Sequence, residues 1–511
     1  MKGLLLMPFL LTVGAFLLAC AAPSLTPRPT SIVGQIHHCS GAGQWFPADP
    51  EKLRKMVDAY LDQAERRVEA EPIAIVVPHA GYVFSGQVAA YAFKEVEGAD
   101  YDVIVVIGDT HTGAGSSAIA VYTEGAFETP LGLVPVDGEV AQAIVAADER
   151  ISRDLPAFAN EHPIENQLPF LQRVCTKLKI VPIVFREPSL ENAQTLSRAL
   201  VKALAGKKAL IVASTDLSHY PSYEDALKVD AATLAAVESM DPQQLLDTAD
   251  EYMKKGIPNL VTCFCSRGAL LTAMLTAPKL GANQVTVLKY ANSGDTPFGD
   301  RRQVVGYGAV MFWQGERGPS SFAVPTSVSP SQPAPLTPSE RGKLLKIARQ
   351  TVARFLEAGV APMFTPTEPG LLQERGAFVT LKKHGQLRGC IGRLIAEGPL
   401  YLTVQRVAME AAVNDARFPP VTPDELPEIE IEISVLSPLE PVEDISQIEV
   451  GKHGLLIVKG GHQGVLLPQV ATEQGWDRKE FLRGVCRKAG LPEDAWKDAK
   501  LYIFTAEVFR E

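Results

Sequence analysis

Apolar residues come in short unbroken runs through the first half of the chain, and three of these runs end in a histidine. Ile73 to Val77 leads into Pro78-His79, and Val103 to Ile107 into Gly108-Asp109-Thr110-His111. Ala209 to Ala213 leads into Ser214-Thr215-Asp216-Leu217-Ser218-His219. β-Branched runs without polar alternation are expected of strands covered on both faces by helices, as in a parallel sheet. Ligands of such sheets lie beyond the carboxyl ends of the strands. Three imidazoles gathered there would make a metal or acid/base site, the alternative being three unrelated loop histidines. Equivalent placement of three among only nine histidines favours the site.

The pattern elsewhere divides the chain. Leu53 to Val68 has the spacing of an amphipathic helix, and Val304 to Phe312 reads as a late strand. Strand-like runs alternating with helical stretches make residues 32–314 an α/β domain. Residues 315–339 repeat Pro, Ser and Thr without apolar periodicity, as a linker does. In residues 340–511 helices are expected over Arg341–Leu356, near Leu402–Val413 and over Arg478–Ala489. Strands are expected at Ala377–Leu381 and Ile429–Val435, and the period-two alternation of the latter predicts a sheet with one open face, hence α+β.

Composition narrows the function. A chain of 511 residues exceeds one ordinary core, and 46% hydrophobic with 21% charged residues is globular. A net charge of −10 without a Lys/Arg block argues against nucleic acid as a partner. At the N-terminus, Lys2 precedes an apolar stretch from Leu4 to Leu18 that is shorter than the ~20 residues of a spanning helix. Leu17-Leu18-Ala19-Cys20 then resembles the lipobox of bacterial lipoproteins. The expectation is a signal peptide over 1–20, lipidation of Cys20, and a tether over 21–31. The protein would be exported and anchored to a bacterial cell membrane. The other six cysteines do not read as a disulfide framework, since a chain this long folds without staples.

Several segments resemble the Memo family, also called AmmeMemoRadiSam system protein B. They are Gly43 to Pro50, Pro78-His79-Ala80-Gly81-Tyr82, Glu161 to Phe170, Ser214 to Tyr220 and Ser293-Gly294-Asp295. The resemblance implies the fold of class III extradiol dioxygenases, whose iron is held by two histidines and a carboxylate. In the family the matching cluster is two histidines and a cysteine. Carried over by motif, the ligands are His79, His111 and a cysteine of Cys263-Phe264-Cys265-Ser266-Arg267, with Cys265 the better alignment. His219 matches the position of the dioxygenase general base, with Asp216 one helical turn before it. Imidazole and thiolate suit iron foremost, with copper or zinc as other candidates. This chain has Thr112 where many relatives have a second histidine, and Cys263 stands as a rival or partner of Cys265. Glu161, His162 and Glu165 are placed around the ligands as supporting residues, or else cap and solvate a helix.

Residues 340–511 resemble the AMMECR family, AmmeMemoRadiSam system protein A. The matching segments include Gly376 to Leu381, Leu387-Arg388-Gly389-Cys390-Ile391-Gly392 and Asp415-Ala416-Arg417-Phe418. Arg388 and Cys390 put a cation near a thiol, where a lowered thiol pKa competes with a buried strand-end cysteine. Lys452-His453-Gly454 reads as a turn between strands. The pairing implies a radical-SAM partner. The expected function is a metal-dependent, dioxygenase-like oxidoreductase acting on a small-molecule or peptide ligand. The alternative is a non-catalytic module that binds a ligand or partner.

Overall fold

The computed structural model describes residues 34–316, 334–396 and 398–511. Its first part is built on an eight-stranded mixed sheet. In spatial order the strands are Gln284–Asn292, Gly306–Trp313, Pro72–Val77, Ala209–Ser214, Val103–Asp109, Ile180–Phe185, Ile119–Val121 and Ile151–Arg153. The middle four run parallel, as their unbroken apolar sequences predict, while antiparallel pairings flank them on both sides. Alternation within one strand feeds two cores: Ala74 and Val76 face one cluster, Ile75 and Val77 the other. Helices Leu190–Ala203 and Arg267–Thr276 cover the first face, and Pro50–Gln63 and Tyr82–Val96 the second.

The three histidine-bearing strands are immediate neighbours in this sheet. Adjacent strands lie about 4.8 Å apart, so residues leaving their carboxyl ends are already within reach of one another.

Two helices depart from the sequence reading by three residues or more at an end. The helix expected over Leu53–Val68 is Pro50–Gln63, started by Asp49, whose side chain accepts from Lys52 N, and by Pro50. It ends where Ala64 turns extended and the backbone N–H groups of Arg67 and Val68 donate to the Glu95 carboxylate instead. Helix Pro338–Ala358 claims Pro338 and Ser339 from the expected linker, because Thr337 and Glu340 close a capping box. The linker's residues 317–333 lie outside the described residues, as do the signal peptide, Cys20 and the tether. Among the described residues no helix is long and apolar enough to cross a membrane.

The second part has two four-stranded sheets where one was expected. Gln386–Arg393, Ala377–Lys383, Ile429–Leu436 and Ala506–Arg510 form an antiparallel sheet under helices Pro338–Ala358 and Leu400–Val413. Glu440–Pro441, Lys500–Phe504, Gly454–Lys459 and His462–Leu466 form the other, against Arg478–Lys488. The two parts pack on each other: Ala358 and Val360 enter the first part's core, and Arg406 Nε donates to Pro297 O at 2.6 Å.

Candidate metal centre

His79, buried to 1% exposure, leaves the strand Pro72–Val77 just before helix Tyr82–Val96. Asp216 Oδ1 fixes its loop by accepting from His79 N at 2.8 Å and Ala80 N at 3.3 Å. Hydrogen-bond accounting also fixes its tautomer. Ser214 Oγ has one proton, which it donates to Pro163 O at 2.7 Å, and it accepts from Gln167 Nε2 at 2.9 Å. His79 Nδ1, 3.0 Å from the same oxygen, must therefore be the donor. Nε2, 3.2 Å from Cys265 Sγ, is then the nitrogen left for the thiol or for an ion.

Cys265 precedes helix Arg267–Thr276, whose N-terminus favours negative charge. Its Sγ also accepts from Asp216 N at 3.1 Å. Burial works against the thiolate, but His79 beside it and the contacts with His111 and His219 hold the thiol well below its ordinary pKa. Asp109, at the end of the His111 strand, accepts from Gly268 N and Ala269 N at 2.9 and 3.1 Å. One carboxylate thus ties the cysteine's helix to the histidine's strand, although burial lifts its pKa to about 7.

His111 stands on a loop organised by Glu161. That carboxylate, 1% exposed, accepts from the Thr110 hydroxyl, from His111 N, and from both the N–H and the hydroxyl of Thr112. Thr112, the departure from the family pattern, is therefore part of the loop's support. The His111 ring lies 3.6 Å from Glu161; burial opposes its charge, but Cys265 and Glu161 lift its pKa to about 10. Glu161 itself is held at about 2, since bonds from His111 and Thr110 outweigh its burial.

His79, His111 and Cys265 bring one ligand atom each within 4.8 Å of one another, and Asp216, His219 and Cys265 do the same. His219 is not on a helix with Asp216. Its backbone is extended, bridged to Thr262 and Val305, because residues 215–219 run between neighbouring chain segments. Its Nε2 is buried and has no hydrogen-bond partner among the described residues, although the ring lies close enough to Cys265 to stabilise the thiolate. Two imidazoles and an acidified thiol with their ligand atoms this close suit a soft or borderline metal ion.

The structure corrects the reading of the residues around this cluster. Cys263 does not reach it: a turn closed by the Thr262 hydroxyl directs its Sγ toward Ala249 O, at 3.7 Å within the apolar core, and burial pushes its pKa to about 11. The six described cysteines are free thiols. Glu161 and Glu165 are not solvated helix caps. Glu165, fully buried, accepts from Ser40 N, Gly41 N, the Ser40 hydroxyl and Cys39 Sγ, and pairs with His37 at 2.8 Å. His162 stacks on Trp45 at 4.0 Å and lies 4.8 Å from His111 and 5.2 Å from His79, ring to ring. Burial and those two imidazoles push its pKa down to about 3, so it is neutral. Sequence reasoning missed His37, Ser40, Trp45, Gln167 and Ser214 as supports. The polar Glu165-Asn166-Gln167 inside an apolar segment was the available signal.

Arg388 and Cys390 lie in the second part. Arg388 turns from the thiol to Pro419 O, Pro420 O and Glu425, holding the following loop. Cys390 is half-buried in mid-strand, not at a strand end, and takes a bond from the Thr380 hydroxyl at 3.2 Å. The nearer cation is Arg417, which donates to Cys390 O at 3.1 Å and pairs with Asp415. Gly389 is required there, since a Cβ would meet Ala411 O at 2.1 Å. The reading of Lys452-His453-Gly454 as a turn fits, with His453 Nδ1 accepting from Glu449 N.

Comparison with known proteins yields matches for both parts. The family described as Memo-like protein matches residues 37–311, and the AMMECR1 family matches residues 345–509. A MEMO1 family protein of Methanopyrus kandleri is 36% identical over 54% of this chain and 98% of its own length. One of Aquifex aeolicus is 38% identical over 53% of this chain and 97% of its own. The crystal structure of an uncharacterised Pyrococcus horikoshii protein is 41% identical, covering 33% of this chain and 90% of that one at a TM-score of 0.32.

Proposed function

The chain belongs to the Memo family and carries an AMMECR1 domain, and from that premise we propose that it is a metal-dependent oxidoreductase of the dioxygenase-like kind. His79, His111 and Cys265 would hold one transition-metal ion, iron foremost and copper or zinc otherwise. Such an ion supplies redox or Lewis-acid chemistry when bound. The observation that carries the reading is the donor set itself: His79, His111 and the acidified Cys265 thiol bring one ligand atom each within 4.8 Å of one another.

In this reading the chain's residues divide the work. Asp216 and Ser214 orient His79 from opposite sides, one through the backbone and one through Nδ1. Glu161 sets the His111 loop, and neutral His162 with Trp45 closes one side against water. His219 takes and returns a proton at Nε2.

Metal analysis of His79→Ala tests the assignment. Loss of stoichiometric metal is expected, because one of three ligands is removed, and full metal content would refute it. His219→Ala should keep the metal and slow turnover; loss of metal would make His219 a ligand instead. Oxygen uptake or a change in the metal's redox state with a reducing substrate separates an enzyme from a binding module, which would hold its partner equally with and without metal. A radical-SAM protein is the partner to try first.

A further inference from the structure

A cavity of about 590 Å³ opens beside the imidazole–thiol cluster. That is within the roughly 300–1,000 Å³ of small-molecule sites. It borders the cluster through neighbours of its residues: Ala80 follows His79, Trp45 stacks on His162, and Val305 is backbone-bridged to His219. Its walls are aromatic, with Trp45, Phe46, Tyr82, Phe84, Phe298 and Tyr307 among them. No Lys, Arg or His lines it, and its one charged residue, Asp300, is paired with Arg302 at its surface. A phosphate or carboxylate would find no counter-charge there, whereas a flat neutral ring would find faces and edges to pack on.

The outer wall of this cavity is the segment 293–303. Ser293, Phe298, Gly299, Asp300 and Gln303 face the cavity, and Phe298 meets Phe84 edge to face at 6.3 Å. The back of the same segment lies against the second domain. Pro297 O accepts from Arg406 Nε at 2.6 Å, and the Arg406 charge also reaches Asp300. Met56, another wall residue, packs on the end of the second domain's first helix, where a Cβ on Gly359 would stand 3.3 Å from its methyl.

We propose that this cavity binds the neutral aromatic body of an organic substrate, and that Arg406 of the second domain is the positioning residue for its outer wall. The proposal rests on the metal-centre reading and names its substrate class. It also gives the fused domain a role in the first domain's chemistry: the wall is set in cis, from outside the sheet.

The test uses metal-replete, full-length protein and Prodan, a neutral aminonaphthalene fluorophore. One Prodan per chain should bind, more tightly than an anilinonaphthalene sulfonate of similar size. Val83→Trp fills the cavity from a partly exposed helix position and should weaken Prodan at least tenfold. Arg406→Ala should weaken it several-fold and speed amide hydrogen exchange locally over 293–303, and Arg406→Lys, which keeps a donor, should restore most of both. Metal content should stay at the wild-type level in every variant. Unchanged Prodan affinity in Val83→Trp, or tighter sulfonate binding, overturns the ligand class. Wild-type affinity and exchange in Arg406→Ala overturn the wall. Prodan binding by protein that never holds metal would instead refute the metal-centre reading and leave the cavity standing.

Discussion

Replacing Ser214 by alanine removes one buried oxygen that three groups share. Pro163 O loses its donor and His79 Nδ1–H its acceptor, while Gln167 Nε2 keeps Pro78 O at 3.1 Å. Two orphaned groups at about 1–3 kcal/mol each put the stability loss at roughly 2–4 kcal/mol once the chain relaxes. The effect on metal is separate. Nδ1 holds the tautomer and the ring's direction, and removing such a partner typically weakens a metal site 10- to 100-fold, or about 1.4–2.8 kcal/mol. Chelator competition on folded protein measures the affinity, and urea unfolding of the metal-free protein measures the stability. A variant that loses stability but binds metal as tightly as wild type would refute the tautomer argument. One that loses neither would refute the hydrogen-bond accounting.

The two neighbouring cysteines should behave oppositely: Cys265→Ser loses stoichiometric metal by elemental analysis, while Cys263→Ala keeps it at a cost of about 1 kcal/mol in unfolding. In the second domain, Arg388→Ala frees two loop carbonyls and Glu425, costing about 1–2 kcal/mol near neutral pH. Arg388 foremost, with Thr422 N and Lys383, holds the Glu425 pKa at about 2 instead of 4.5, so Arg388's share of that stability is present above pH 4.5 and lost as pH falls through about 2. The gap between wild type and Arg388→Ala should therefore narrow over that window in acid titrations of urea unfolding; a constant gap would exclude the ion pair as its source. Full-length protein expressed in a bacterium should fractionate with membranes and lose the segment before Cys20, and Cys20→Ser should abolish lipid labelling. Wild-type protein in the cytosol with Met1 intact would rule out the lipoprotein signal.

How much of this was legible in the chain depends on the range of the physics involved. Unbroken runs such as Val103 to Ile107 declare a strand buried on both faces, because periodicity is local and burial is its cause. The same holds for the alternating Ile429 to Val435, whereas apolar spacing put two helix starts at Leu53 and Arg341, inside the Asp49-Pro50 and Thr337-Pro338 caps that set them. Motif order along the chain was enough for the two families.

Tertiary structure alone decided which groups meet. Cys263 and Cys265 are chemically identical in sequence, and only the turn at Thr262 sends one thiol into the apolar core and the other to the imidazoles. Glu161 and Glu165 resemble surface residues of a short helix, yet they hold the His111 loop and the strap at Ser40 from 50 and 125 positions away. Ser214 looks like the polar end of a strand until Pro163, Gln167 and His79 converge on its hydroxyl. The contact of Arg406 with Pro297 likewise spans two domains. Local propensity is written residue by residue, whereas the partner of a buried polar group is set by which strands become neighbours, and that order is a property of the folded sheet.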